Sequence, residues 1–359
     1  MATTLLGPML PLLSARWAMS DATAGALFSA QFAGTLTATS VSSLIADRIG
    51  AARALAVGFL LLTLGIGALG IVPASLAFAV TVTYGVGLGL VLPLTNNVVA
   101  ALAGNRAASA LSLVNVAWGI GAMIWPLVVR AAMPVNAPAA TTLLAGSALV
   151  MAVVWGSGHF AAVSATTRPA DFADSASVAR PLRLVALYGT LILLYVGSEA
   201  AISGWATEFA RRMASDGALW TYAATAFWGA QTVGRLAAPV TIRWIGESRL
   251  PGASLVVGCG ATLAMAGLVS SAAQVILVAA ITGLALAPVF PLLWARVTHD
   301  IAPVWPAAVG PLFAAGGIGG AVLPWLVGVV SSGSSLGAGL LVPLTSLVLM
   351  VLLSFARRP

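Results

Sequence analysis

Glu199 is the residue of this 359-residue chain whose type and setting most invite chemistry, because it is the only carboxylate well inside an apolar stretch. It stands in Leu194-Tyr195-Val196-Gly197-Ser198-Glu199, with Gly204-Trp205 close behind. A charge at the centre of a bilayer costs about 2.5–3.5 kcal/mol on insertion scales, and intramembrane acids usually mark an ion or solute path. A carboxyl group so placed could load and release a proton. The plainer alternative is a structural Glu bonded to a backbone or to a neighbouring polar side chain. Other polar side chains in apolar stretches are Gln31, Asn96, Asn97, Asn115 and Gln231, together with several Ser and Thr. Amides both donate and accept without carrying charge, which suits the hydroxyls of a neutral solute. Trp118 lies one turn from Asn115 on the same helical face. An indole ring there could pack on the C–H surface of a sugar, with plain helix packing as the competing reading. Arg235 could hold an anion, or pair across helices through its long stem. Glu208, beside Arg211 and Arg212, suits an interfacial ion pair.

Several chemistries are excluded. Cys259 is the single cysteine, so neither a disulfide nor a thiolate metal site is expected. His159 and His299 are far apart and show no metal-ligand spacing, and no nucleophile–base pair for hydrolysis is visible. The Gly-rich runs Gly85-x-Gly87-x-Gly89 and Gly316 to Gly320 sit inside apolar stretches without a strand–turn–helix setting, so they point to close helix packing rather than nucleotide binding. No enzyme activity, cofactor or metal is expected. The net charge of +7 comes from Arg residues scattered through short hydrophilic breaks, which argues against nucleic acid.

The elements that must position these residues are read from hydropathy. The chain is 60% hydrophobic and 7% charged, against roughly 25% charged for average globular proteins. Such a composition requires lipid. Twelve apolar stretches fall at 2–15, 23–46, 54–72, 75–103, 107–131, 138–161, 184–209, 218–243, 252–271, 274–298, 304–331 and 336–356. Most hold the roughly 20 residues needed to cross a bilayer. The second half repeats the first about 198 residues on: Gly119-Ile120-Gly121 with Pro126 recurs as Gly317-Ile318-Gly319 with Pro324, and Gly85 with Pro93 as Gly283 with Pro291. The expected fold is all-α: a six-helix bundle over 1–161, a cytoplasmic linker over 162–183 and a second six-helix bundle over 184–359. Parallel repeats of this kind are the architecture of secondary transporters, whose site lies between the halves near the bilayer midplane.

Orientation follows from the Arg residues. With both termini cytoplasmic, the inner loops hold Arg48, Arg53, Arg106, Arg168, Arg180, Arg183, Arg243, Arg249, Arg296, Arg357 and Arg358, and the outer ends hold only Arg16, Arg130, Arg211 and Arg212. That asymmetry obeys the positive-inside rule. Trp17, Trp155, Trp220 and Trp244, near helix ends, suit interfacial anchoring. No cleavable signal peptide is visible at the start. The first stretch is anomalous, since the repeat offset would start its helix some 12 residues before Met1. A start codon placed too late, with further apolar residues encoded upstream, is the expectation, and a natively short, Pro-bent helix is the alternative.

Ser43-Leu44-Ile45-Ala46-Asp47-Arg48-Ile49-Gly50-Ala51-Ala52-Arg53 resembles the signature loop Gly-x-x-x-Asp-Arg-x-Gly-Arg-Arg of the major facilitator superfamily, with Ser43 where Gly is usual. The resemblance implies a gating role for Asp47, Arg48, Gly50 and Arg53, with Gly50 permitting a tight turn and Asp47 latching one conformation. Arg235 is grouped with this gating set. Around Glu199, together with Gly119-Ile120-Gly121, Gly234-Arg235 and Gly316 to Gly320, the chain resembles the fucose–galactose–glucose:proton symporter group of that superfamily. This implies proton-coupled uptake of a neutral sugar, with Glu199 in coupling and with Trp205, Trp228 and Trp294 on cavity-lining helices. Gln31, Asn96, Asn97, Asn115, Trp118, Trp205, Gln231 and Trp294 are then the expected solute-binding set. Asp21 and Asp47 fall in loops, so the first half lacks the intramembrane carboxylates of the fucose branch. Proton-driven efflux of lipophilic compounds is a second reading, although Asn115 to Pro126 does not match the Gly-Pro-x-x-Gly-Gly pattern of drug antiporters. A membrane sensor with a carrier fold and no flux is a third. The expected setting is a multi-pass monomer in the cytoplasmic membrane, with a small-molecule substrate, a proton as coupling ion and the lipid bilayer as its partners.

Overall fold

The structure, a computed structural model, describes residues 2–132, 137–158, 160, 182–214 and 217–355. Positions 162–181 of the expected linker lie outside the described residues, as do His159, Arg357 and Arg358. Apart from 3-10 turns, the regular structure is all α-helix. The helices in chain order are α1 (Leu6–Trp17), α2 (Asp21–Ile49), α3 (Ala51–Leu69), α4 (Ala77–Ala103), α5 (Ala107–Ala132), α6 (Ala137–Gly156) and α7 (Leu182–Arg212). There follow α8 (Tyr222–Ile245), α9 (Leu250–Gly267), α10 (Ala272–Leu286), α11 (Val289–Asp300), α12 (Val309–Gly333), α13 (Leu336–Gly339) and α14 (Leu341–Phe355). Each of the twelve expected stretches coincides with a helix or, for 274–298 and 336–356, with a pair of helices. The break between α10 and α11 falls at Ala287-Pro288, where proline removes a backbone donor and crowds the preceding turn.

Among the described residues, eight helical stretches are long and apolar enough to cross a membrane by length and composition. They cover α3, α4, α5, α7, α9, α10 with α11, α12, and α13 with α14, while the apolar run of α6 (Thr141–Gly156) is shorter. α2 and α8 span 29 and 24 residues but carry Ser, Thr and Gln side chains, as helices facing a polar interior do. α1 has only 12 residues and is preceded by a 3-10 turn at Ala2–Thr4.

The repeat seen in sequence recurs as geometry. Gly50 closes α2 at φ 88° and ψ 147°, and Gly246 closes α8 at φ 86° and ψ 143°. Both lie in the positive-φ region that costs a side-chain-bearing residue and not glycine. Gly85 of α4 presses on the Gln31 carbonyl of α2, and Gly283 of α10 presses on the Phe227 carbonyl of α8. A Cβ at either position would collide with that backbone oxygen, so these pairs cross at a distance only glycine allows. α2 thus packs on α4, and α3 on α4 and α6; correspondingly α8 packs on α10, α9 on α10 and α14, and α7 on α12.

Helices before the 162–181 segment meet those after it along three seams, α2 with α12, α1 with α7, and α5 with α8. The core beneath these seams is aromatic, with Trp125, Trp205, Tyr84, Tyr188, Tyr195 and Phe227 all fully buried.

Candidate functional site

A cavity of about 150 Å³ opens between α1, α2, α5, α7 and α8, smaller than the roughly 300–1,000 Å³ usual for small-molecule sites. Four rings wall it: Phe28 and Phe32 from α2, Trp118 from α5 and Trp228 from α8. The two indoles meet edge to face at 5.3 Å between centroids. Gln31, Glu199, Ser203, Thr3 and Thr4 supply the polar wall. Thr3 accepts from the Trp118 indole N–H at 2.8 Å, which fixes the ring.

Glu199 is held by side chains from α7 and α8. The Tyr195 hydroxyl, one turn earlier, donates to Oε1 at 2.8 Å. Gln231 Nε2 donates to the same oxygen. Arg235 Nη2 lies 3.6 Å from it. Arg235 also stands over the Trp118 ring at 5.5 Å, so its charge touches both groups of helices. Its Nε is buried without a hydrogen-bond partner among the described residues. The pair is only partly shielded, with Arg235 29% and Glu199 16% exposed. The single Tyr195 hydroxyl proton is shared with the Leu286 carbonyl, 3.0 Å away at the α10–α11 break, and the Tyr195 ring stacks on Phe290.

The residues expected from sequence therefore divide. Gln31, Glu199 and Trp118 line the cavity, and Gln231 and Arg235 stand directly behind Glu199. Asn115 instead bonds the Leu111 carbonyl of its own helix at 3.1 Å and does not line the cavity. Trp205 is fully buried and donates to the Pro324 carbonyl at 2.9 Å, so it ties α7 to α12 and has no face free for a solute. Trp294 stacks on Phe290 and meets Phe313 edge-on, outside the cavity wall. Asn96 is exposed and Asn97 half-buried on α4, and neither lines the cavity. Phe28, Phe32, Thr3 and Ser203 were missed. Phe28, Gln31 and Phe32 share one face by i, i+3, i+4 spacing, which was the available signal.

A second cluster closes one end of the molecule. Arg212, the last residue of α7, bonds both oxygens of Asp21, the first residue of α2, at 2.9 and 2.5 Å. It also bonds the buried Glu208 at 2.8 Å. Arg211 bonds Glu208 alone, at 2.6 and 2.9 Å. Ser331 of α12 donates to Asp21, and the Ala22 N–H donates to Ser332 at 2.8 Å. At the same end, Arg130 of α5 bonds and overlies Tyr222 of α8. Among the described residues, the hydrogen bonds and ion pairs joining α1–α6 to α7–α14 lie between the cavity and this end. At the other end, Asp47, Arg48 and Arg53 are exposed and make no ion pair among the described residues.

Residues 1–324 match the family profile of the Major Facilitator Superfamily. The chain belongs to that superfamily. It is a membrane transporter by fold rather than an enzyme. No curated protein matches it in sequence. Among solved structures it superposes on a point mutant of the nucleoside transporter NupG with a TM-score of 0.79 at 15% identity, covering 98% of this chain and 94% of that one. It superposes on a D-xylose–proton symporter with 0.75 at 15% identity, covering 100% and 94%. With FucP, described as being in the outward conformation, the values are 0.63 at 16% identity, 100% and 95%. At such identities the likeness is one of fold.

Proposed function

We propose that this superfamily member is a secondary active transporter that couples a proton to the movement of a small neutral polar solute, a sugar or a sugar-bearing compound. One observation carries the reading: the cavity between the two sets of helices has a single carboxylate on its wall, Glu199, held by Tyr195, Gln231 and Arg235. The rings offer faces to C–H surfaces, and Gln31 and Glu199 offer hydrogen bonds to hydroxyls. Two of the structural neighbours are described as a nucleoside transporter and a D-xylose–proton symporter, which supports the same class.

On this reading the chain has twelve spans in two six-helix bundles with cytoplasmic termini, and the Asp21–Arg212 end faces outward. Alternating access then consists of parting the α2–α12, α1–α7 and α5–α8 seams at the Asp21 end while the opposite end closes. On this reading the closed Asp21 end is the outward one. In this state Asp47, Arg48 and Arg53 are disengaged, and their gating role belongs to the opposite state. The four-ring wall also favours a second reading, efflux of a lipophilic compound. Proton uptake into proteoliposomes, driven by pentoses, hexoses or nucleosides in turn, separates the two. Alkalinisation outside on adding one of these solutes supports import; proton release driven only by lipophilic cations or dyes would replace it with efflux.

A further inference from the structure

Two buried polar groups are left without partners on helix faces that continue the cavity wall. Among the described residues, the indole N–H of Trp125 and the hydroxyl of Thr207 are shut from solvent and make no hydrogen bond. Each residue is only 1% exposed. Both depart from the habit of this chain. Trp17, Trp118 and Trp205 donate their indole N–H to an oxygen, as buried tryptophans usually do. Thr63, Thr81, Thr190, Thr232 and Thr262 turn their hydroxyls back onto the carbonyl four residues earlier. The Thr207 hydroxyl does not bond its own helix. Helices α5 and α7 both run towards the Asp21 end, where Arg130 and Arg212 stand in their last turns. Trp125 follows the cavity-wall Trp118 by seven residues, so it lies about 10.5 Å nearer that end on nearly the same face. Thr207 follows the cavity-wall Ser203 by four, about 6 Å nearer it. Gly7 of α1 presses on Ser203 and Gly204 of α7, and the Thr225 hydroxyl of α8 bonds the Met123 carbonyl of α5 at 3.2 Å. Both unpaired groups therefore lie between the cavity and the Asp21 cluster, next to the α5–α8 and α1–α7 seams.

We propose that Trp125 and Thr207 form an outer docking site for the solute, assembled when the Asp21 end opens and dismantled when it closes. This rests on the alternating-access carrier reading and deepens it. The ligand class follows from the groups. The indole N–H requires an acceptor oxygen, and the Thr207 hydroxyl both donates and accepts. The indole face takes a C–H surface. The neighbouring carboxylate, Glu208, is committed to Arg211 and Arg212, so the site offers no free charge. A neutral polyhydroxy compound fits these terms. Solute is held first by Trp125 and Thr207, then by the cavity that begins one turn deeper at Ser203 and two turns deeper at Trp118. Closure takes the outer partners away from the solute and leaves both groups bare, the condition in which they stand here.

The test reads half-saturating solute concentrations separately from each face, in right-side-out and inside-out vesicles. The probe is whichever of D-xylose, L-fucose, D-galactose or uridine the wild type transports, together with its mono-deoxy analogues. Loss of a protein group and loss of the solute hydroxyl it binds are coupled, whereas a shifted opening equilibrium multiplies the values for parent and analogue alike. Thr207→Val puts a methyl where a hydroxyl had no partner, so its melting temperature in detergent should not fall. From the Asp21 face, its preference for the parent over one analogue should shrink at least about fivefold. From the opposite face that preference should stay as in wild type. Trp125→Phe keeps a ring without the N–H and should lose preference in the same sided way, for the same analogue or another. Unchanged preferences from the Asp21 face, or equal losses from both faces, overturn the docking site. Failure of Thr207→Val to fold overturns it as well, because the hydroxyl then serves packing. Transport of none of the probes by the wild type instead overturns the neutral-solute reading beneath it.

Discussion

Replacing Arg212 by Gln should open the end of the molecule that Asp21 closes. Arg212 bonds Asp21 in both oxygens at 2.9 and 2.5 Å, with 34% and 16% of the two side chains exposed. At an effective dielectric of about 20 and a separation near 3 Å, Coulomb's law gives an attraction of about 5 kcal/mol. Water at the rim screens much of this, leaving a net closing contribution of about 2 kcal/mol. That corresponds to about thirtyfold in the ratio of closed to open forms. Arg211 supplies the control, since it bonds only Glu208 on its own helix. Cys259 is the single cysteine, so Cys259→Ser gives a background for a reporter at Ala200→Cys on the cavity wall. The rate of reaction with a membrane-impermeant maleimide is then measured in right-side-out and inside-out vesicles. The parent should react from the side opposite Asp21. Arg212→Gln should gain reactivity from the Asp21 side by at least about tenfold, and Arg211→Gln should change little. Equal rates for both variants would refute the latch. Reaction of the parent from the right-side-out face alone would reverse the orientation while leaving the latch comparison intact.

Other expectations follow from single contacts. Trp118→Ala should weaken solute binding by about 1–2 kcal/mol, read from equilibrium binding, because it removes a wall ring, whereas Asn115→Ala should leave affinity unchanged. Trp205→Phe should lower the melting temperature in detergent through loss of its bond to the Pro324 carbonyl, about 1 kcal/mol, without altering affinity. Gly283→Ala and Gly85→Ala should both sharply lower the yield of folded protein, since each Cβ would meet a carbonyl of the neighbouring helix. Arg235→Gln should destabilise by leaving Glu199 without its counter-charge. Adding Glu199→Gln should restore part of the loss, and a strictly additive double variant would show that the 3.6 Å pair contributes nothing.

Hydropathy and the internal repeat made the helices legible, because lipid burial leaves a signal roughly twenty residues long in most of them. The turn at Gly50 was legible in the signature loop, and Gly246 ends α8 with the same backbone angles. Glu199 was legible because a carboxylate in an apolar stretch has few reasons to be there. What the sequence could not show was rotation. Trp205 and Trp228 both sit in apolar helices, and only the packing of α7 on α12 turns the first toward Pro324 while the second faces the cavity. Asn115 is within a turn of Trp118 but satisfies itself on its own helix. The pairing of Asp21 with Arg212 spans 191 residues, and no local pattern predicts a contact between such distant positions.

The side chains gripping Glu199 all stand on α7 and α8, whereas Phe28, Gln31, Phe32 and Trp118 belong to α2 and α5. On the proposed function, the grip on the coupling carboxylate and three of the four wall rings are thereby coded in different stretches of the gene, joined where Glu199 and Trp228 share the cavity and Arg235 overlies Trp118. Substitutions at Phe28, Gln31 and Phe32, which make no contact with Tyr195, Gln231 or Arg235 described above, could then alter what is carried without disturbing that grip. A lineage, or a library restricted to those three positions, could then explore new nutrients while every intermediate remained powered.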